Sequence, residues 1–208
     1  MIKKMASTYP FYKDEKMAAF IDGAYLYTIS RNLDFDIDYK KLLGWMHERS
    51  HLVRANYYTL LFEDQDYSPV KPLVDWLDYN GFTMVTKTAR EESGSRRRRS
   101  SIDVDLAVDA MDLADHIDHV LLFVGDSDYR KLIEVLRSKG VRVSVFGTIR
   151  TGSPLVADEL RRMADFFYEM EDLIEVIGRD GGYDADYDAE YPEDDTESGN
   201  RKKHAVDA

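Results

Sequence analysis

The stretch LLFVGDSDYRKLIEVLRSKGVRVSVFG, residues 121–147, decides the fold class of this 208-residue chain. Its beginning belongs to the apolar run VLLFV (120–124), which predicts a fully buried strand, and a helix follows over about 128–139. Gly140 ends this helix, because glycine readily adopts the left-handed conformation that closes helices, and VRVSVF (141–146) is the next strand. This succession of strand, helix and strand predicts parallel strands covered by helices.

The same alternation continues on both sides of this stretch. Short apolar runs predict strands at 18–22, 54–62, 82–88 and 166–170. Apolar residues at helical spacing predict helices at 39–49, 69–81, 103–116 and 154–166. We therefore expect an α/β fold of three layers, in which a mostly parallel sheet carries helices on both faces. Ligands of such sheets bind outside the carboxyl ends of the strands, so a site is expected at that edge.

Charge and composition divide the chain into one domain with a polar segment at each end. The formal net charge is −12, but ten acidic and three basic residues lie from Asp180 onward, so the preceding residues carry only −5. We predict a flexible leader at 1–16, a domain at 17–179 and a disordered acidic tail at 180–208. The tail has too few apolar side chains to offset the entropy of ordering, and its charge suits a basic protein partner.

The sequence also argues against several classes of protein. It has no cysteine, which excludes disulfides and thiolate-bound zinc and fits a cytoplasmic protein. No apolar run reaches about 18 residues, so we expect no transmembrane helix and no membrane partner. There is no glycine-rich phosphate loop and therefore no expected nucleotide cofactor. The histidines form no metal-binding pattern, and we expect His116 and His119 at the surface; no pattern decides whether the chain forms a homodimer.

Carboxylates stand where the predicted strands end. Asp22 ends the first strand, whereas Asp126 and Asp128 follow the strand at 120–124. Asp103 opens a helix. If the two strands are neighbours, these carboxylates converge, and a divalent cation would relieve their repulsion. Oxygen ligands suit Mg²⁺ or Mn²⁺, which activate water and stabilise the charge that grows on a phosphoryl group. These four acids are therefore candidate catalytic residues for phosphodiester hydrolysis.

Each of these acids also has a purely structural explanation. Asp22 can start a turn with Gly23. Asp126 and Asp128 can form a turn and a helix N-cap, which is a common use of aspartate. Asp103 can be the favourable negative charge at the start of a helix. Their conjunction favours a site, because acids end two buried strands and open one helix at the same expected edge of the sheet.

A basic run precedes the third of these acids in a loop rich in serine. It consists of Arg96, Arg97, Arg98 and Arg99. Clustered guanidiniums attract anions, and release of counterions favours their binding to a nucleic-acid backbone. The run is therefore a candidate RNA-binding clamp, and a solvated loop is the alternative.

Four blocks of the sequence, in this order, resemble the NYN domain of LabA-like proteins, a family of the PIN-like nuclease superfamily. The blocks are FIDGAYLY (20–27), SIDVDLAVDAMDLA (101–114), the stretch 121–147 and VADELRRMADFF (156–167). The resemblance implies a parallel sheet of order 3-2-1-4-5 and an acidic pocket that holds Mg²⁺ or Mn²⁺. It further implies a ribonuclease that acts on RNA, with single-stranded RNA as the expected partner.

The resemblance also assigns roles to individual residues. Asp22, Asp103 and Asp126 match the acids that would bind the metal, and Asp128 matches a supporting acid. A further set would surround these ligands and consists of Asp109, Ser127 and Tyr25. Ser127 would donate a hydrogen bond to a phosphate or to water on the metal.

Two departures from the family pattern bear on activity. The first motif usually reads IDGxN, whereas this chain carries Tyr25 at the position of the asparagine. A phenol is bulkier than an amide, and it could stack on a base or weaken catalysis. Family members often carry a lysine and a glycine before the position of Asp103, where this chain has its four arginines and two serines. These departures keep open a second hypothesis, an RNA-binding or regulatory module with weak catalysis.

Overall fold

A computed structural model of the protein describes residues 11–62, 70–89 and 102–180. The strands within these ranges are β1 (Lys16–Asp22), β2 (His51–Phe62), β3 (Thr83–Ala89), β4 (His119–Phe123), β5 (Arg142–Gly147) and β6 (Phe166–Glu169). The helices are α1 (Gly23–Asn32), α2 (Tyr39–His47), α3 (Val70–Tyr79), α4 (Asp103–Leu113), α5 (Arg130–Ser138), α6 (Asp158–Met163) and α7 (Ile174–Ile177). The arginine run and residues 181–208 of the tail lie outside the described residues.

The strands form one sheet in the order β3-β2-β1-β4-β5-β6, and every neighbouring pair is parallel. The expected three-layer α/β fold and the strand order 3-2-1-4-5 are therefore confirmed. The short β6 extends this order by one strand beside β5. The chain winds outward to β3, returns to the centre for β4 and then winds outward in the other direction.

The central strands are buried on both faces, as their continuous apolar sequences predict. Along β1, Met17, Ala19 and Ile21 contribute to one apolar core, whereas Ala18 and Phe20 contribute to the other. This alternation follows from the two-residue period of a strand. All five side chains are fully buried.

Helices cover both faces of the sheet. Buried side chains of α1, α2, α3 and α7 belong to the first core, and those of α4, α5 and α6 belong to the second. The chain crosses from the first face to the second between β3 and α4, and it returns to the first face after β6, where α7 packs. Because β4 pairs with β1, these two strands flank the point where the winding direction reverses, which is where open α/β sheets bind ligands.

Three local features differ from the sequence expectations. Helix α1 was not expected, because its tyrosines, threonine and isoleucine favour strands over helices. Helix α6 is shorter than the helix expected at 154–166, since Leu155 and Ala157 belong to a loop that bonds to the ends of the neighbouring strands. The expectation for His119 was wrong, because this residue is 1% exposed. None of the helices in the described ranges is long and apolar enough to cross a membrane.

Candidate active site at the carboxyl edge of the sheet

Asp22 joins the end of β1 to the start of α1. Its Oδ1 accepts a hydrogen bond of 3.1 Å from the backbone N–H of Tyr25, so it caps the helix. Burial raises the pKa of Asp22 to about 6, the backbone hydrogen bond opposes this shift, and the negative charge of Asp103 adds to it. Asp22 therefore caps helix α1, and the negative charge of Asp103 acts on the same carboxylate.

Asp126 follows β4 and lies at the same edge as Asp22. Its Oδ1 accepts a hydrogen bond of 2.9 Å from the backbone N–H of Asp128 and so caps the short 3₁₀ turn at Ser127–Tyr129. The hydroxyl of Ser127 lies 3.5 Å from the same oxygen. Asp126, Ser127 and Asp128 are all exposed, so their side chains are accessible from solvent.

Tyr129 connects this turn to the start of α4. Its hydroxyl donates a hydrogen bond of 2.6 Å to Oδ1 of Asp103, 26 residues earlier in the chain. The pKa of the phenol is raised, first by burial, then by the hydrogen bond and charge of Asp103, and further by the charges of Asp22 and Asp126. Three of the predicted acids thus act on one buried hydroxyl, and we call Asp22, Asp103 and Asp126 the central acids.

Two further acids of α4 contact side chains of β2 and β3. The hydroxyl of Tyr58 donates a hydrogen bond of 2.8 Å to Oδ2 of Asp109. The ammonium group of Lys87 lies 3.1 Å from Oδ2 of Asp105. The pKa of Tyr58 is raised by burial and by Asp109, with a smaller contribution from Asp105. Asp109 is therefore hydrogen-bonded to Tyr58 of β2, whereas Asp103 is bonded to Tyr129. We call the pairs Tyr58–Asp109 and Lys87–Asp105 the second group.

The side chain of Tyr25 packs beside the ends of β4 and β5. Its hydroxyl is fully buried, and its pKa is raised by burial and by the charges of Asp22 and Glu169. A Cβ atom added to Gly125 would lie 2.3 Å from Cε2 of Tyr25, and one added to Gly147 would lie 2.5 Å from its hydroxyl oxygen. The phenol oxygen therefore points into the fold beside the ends of β4 and β5, away from solvent.

Two residues of this edge were missed by sequence reasoning. Tyr129 directly follows the paired acids, but no local pattern shows that its hydroxyl reaches a helix 26 residues away. Glu169 ends β6 and acts on the buried phenol of Tyr25. Its position could have been noticed, because a last strand was expected at 166–170 and acids at strand ends had already been singled out.

The carboxylates are close enough to influence one another but are not arranged as a finished metal site. Within residues 11–62, 70–89 and 102–180, no three histidine or acidic side chains are grouped so that they could hold a metal ion. Each central acid instead accepts a hydrogen bond from a neighbouring N–H or hydroxyl group. The predicted ligand roles of these residues therefore stay predictions.

A doubly wound parallel sheet with acids at its reversal point is consistent with the class of PIN-like domains. The NYN domain family model matches residues 16–171, and the chain belongs to this family of PIN-like nucleases. The low amplitude and bright protein LabA of Synechococcus elongatus is 27% identical over 170 residues, which cover 80% of this chain and 89% of LabA.

A solved structure has the same fold. It is a protein of unknown function from Vibrio parahaemolyticus, with a TM-score of 0.62 and 23% sequence identity. The match covers 80% of this chain and 97% of that chain. At this level of identity, the likeness concerns the fold alone.

Proposed function

We propose that the protein is a ribonuclease that hydrolyses phosphodiester bonds of RNA with Mg²⁺ or Mn²⁺ bound by its central acids. The observation that carries this proposal is the position of the three acids at the reversal point of the sheet, where Asp103 accepts a hydrogen bond from Tyr129 and the charges of Asp22 and Asp126 act on the same phenol. Membership of the NYN family supports a nucleic acid as the substrate.

The chemistry of the donor set fits a divalent cation. Asp22 is partly buried, its pKa is raised by burial and by the charge of Asp103, and a cation would relieve both effects. All available ligand atoms are oxygens, as Mg²⁺ and Mn²⁺ prefer. Because no three acids are grouped for metal binding in the described residues, binding requires at least one of the three carboxylates to move toward the others.

The proposed roles of the site residues differ with their exposure to solvent. The cation, when bound, supplies Lewis acidity that activates water and stabilises charge on the phosphoryl group. Asp22, Asp103 and Asp126 would hold it, the first two being partly buried and the third open to solvent. Asp128 and Ser127 lie on the exposed turn, where the hydroxyl can donate to a phosphate oxygen of the substrate.

Substitution of Asp126 tests the proposal. Asp126→Asn keeps the oxygen that caps the turn but removes a ligand charge, so cleavage of single-stranded RNA in Mn²⁺ should fall at least about a hundredfold. The measurement is the initial rate of cleavage of a labelled oligonucleotide. The control is Asp112→Asn, which changes an exposed acid of α4 and should leave the rate unchanged. Equal rates for wild type and Asp126→Asn would refute the assignment.

A second candidate function is RNA binding with little turnover. It is favoured by the burial of the Tyr25 hydroxyl, since position 25 then offers no polar group to a substrate, and by the lack of a preformed three-ligand group among the described residues. The same assay separates the two. Wild-type protein that binds the oligonucleotide in Mn²⁺ but does not cleave it would support the binding module and reject the nuclease.

A further inference from the structure

The hydroxyl of Tyr129 occupies a special position among the described side chains of the site. It donates to Asp103 at 2.6 Å, while Asp22 and Asp126 act on it through their charges. These three acids come from different elements, namely the end of β1, the start of α4 and the turn after β4. A single buried group therefore connects the elements that bring the central acids together.

The surroundings of this phenol make it a permanent hydrogen-bond donor. Tyr129 is only 3% exposed and its ring packs in the second apolar core, so its position is fixed by side chains that have no part in the site. Burial and the neighbouring negative charges both oppose loss of its proton. A neutral phenol has one proton to donate, and here that proton goes to Asp103.

Asp103 differs from Asp22 and Asp126 in the origin of a hydrogen-bond donor to its carboxylate. Those two acids are caps, and each is oriented by a backbone N–H of its own turn. Asp103 is the first residue of α4. Its Oδ1 accepts a hydrogen bond of 2.6 Å from Tyr129, which belongs to another element.

We infer that Tyr129 is a positioning residue that orients the Asp103 carboxylate for cation binding by the central acids. This inference rests on the proposed function. Partners that orient a metal ligand through a hydrogen bond typically contribute ten- to a hundredfold to affinity. Removing the hydroxyl should therefore weaken Mn²⁺ binding by about that factor, while leaving the packing of the ring intact.

The chain offers a matched pair of variants to test this inference. Tyr129→Phe removes the hydrogen bond to Asp103, and Tyr58→Phe removes the corresponding bond to Asp109 in the second group. Both changes delete one hydroxyl that donates to an acid of α4. Mn²⁺ affinity of the full chain is measured by calorimetry, and the melting temperature without metal reports any purely structural loss.

The expected result is that Tyr129→Phe weakens Mn²⁺ binding about ten- to a hundredfold and Tyr58→Phe changes it less than about threefold. Equal affinity of Tyr129→Phe and wild type would overturn the inference and leave the proposed function intact. Equal weakening in both variants, in step with lower melting temperatures, would also overturn it, because a general structural loss would then explain the effect.

A second readout separates failure of the inference from failure of the proposed function. The ¹³C signal of the Asp103 carboxyl group is recorded by NMR in the metal-free protein. It should move in Tyr129→Phe and stay in place in Tyr58→Phe. If wild-type protein binds no Mn²⁺, the proposed function fails, and this signal alone decides whether Tyr129 orients Asp103. An unmoved signal would overturn the inference.

Discussion

Asp22 combines two demands that conflict within one residue. As the cap of α1 it accepts the N–H of Tyr25, which stabilises the fold. As a partly buried carboxylate beside Asp103, it has a raised pKa, which means that its charge destabilises the folded state at neutral pH. Such a conflict is expected where a residue is retained for a function rather than for stability.

Replacing Asp22 by asparagine should stabilise the protein at neutral pH. The pKa of Asp22 is raised from 3.8 to about 6 in the folded state, so the folded state binds a proton between these values when the unfolded chain does not. The contribution of Asp22 to stability therefore becomes more favourable as pH falls from about 6 to about 4. Asparagine keeps the cap and removes the charge, so Asp22→Asn should gain about 1–2 kcal/mol near pH 8.

Urea unfolding at several pH values measures this effect. The advantage of Asp22→Asn over wild type should shrink steadily below about pH 6 and vanish near pH 4. Asp112→Asn serves as the control, because that side chain is exposed. A variant that is no more stable than wild type near pH 8 would contradict the raised pKa of Asp22.

Single residues of the site were predictable to the extent that local sequence carries their signal. Asp22, Asp126 and Asp128 stand at strand ends, and a parallel sheet gathers such positions at one edge. The partner of Asp103 was not predictable, because a tyrosine 26 residues away reaches it only through packing of two helices. The inward course of the Tyr25 side chain likewise depends on Gly147 at the end of β5 and on Gly125, which follows β4.

At the scale of elements, strands were easier to predict than helices. A continuous apolar run such as VLLFV is stable only when it is buried, so its length and composition suffice to predict a strand. Helix α1 was missed because Tyr25, Tyr27 and Thr28 disfavour helices, while burial of Leu26 and Ile29 against the sheet outweighs that preference. Tertiary packing therefore overrides local propensity in the element that carries the cap.

The amino end of β4 contains a buried histidine whose titration should be visible in the stability of the sheet. Burial, with the charge of Arg142, lowers the pKa of His119 from 6.5 to about 3. Its Nε2 lies 2.7 Å from the hydroxyl of Ser144 on β5. The unfolded chain binds a proton below about pH 6.5 and the folded chain does not, so this histidine lowers stability as pH falls through that range.

His119→Gln should make stability less sensitive to acid. Between about pH 7 and pH 5, the free energy of unfolding should fall by about 1–2 kcal/mol less in this variant than in wild type. Urea unfolding at the two pH values gives the difference. The exposed His116 provides the control through His116→Gln, which should follow wild type. An identical fall in His119→Gln and wild type would show that His119 does not titrate as its burial requires.

The two edges of the sheet carry different kinds of polar residue. The carboxyl edge of the sheet gathers negative charge for the proposed chemistry, whereas His119 and Arg142 at the amino edge serve the packing of the strands. The net charge of the chain comes largely from its tail. Residues 181–208 contain nine acidic and three basic residues and account for half of the formal charge of −12. Such a charge repels a polyanion over about a Debye length, which salt shortens.

Removing residues 181–208 should therefore strengthen binding of single-stranded RNA at low salt. We expect an affinity a few times higher at about 50 mM salt and no difference at about 500 mM, measured by fluorescence anisotropy. The melting temperature should stay unchanged, because the family match ends at residue 171.

A full-length variant with neutral amides in place of the tail acids is the control for this deletion. It should match the deletion, since charge alone is the proposed cause. Unchanged affinity at low salt would reject the repulsion. A lower melting temperature would show that the tail contributes to the domain, contrary to the division of the chain at residue 180.

The contact of Tyr25 with two glycines limits the substitutions that this edge of the sheet can accept. A Cβ atom at Gly125 would lie 2.3 Å from the Tyr25 ring and 2.4 Å from the backbone oxygen of Leu155, and one at Gly147 would lie 2.5 Å from the Tyr25 hydroxyl and 2.9 Å from Cβ of Val156. A smaller residue at position 25 would therefore remove one obstacle at each glycine and leave the other in place. Gly125 stays closed to any side chain even without the tyrosine, because the backbone of the loop after β5 approaches it.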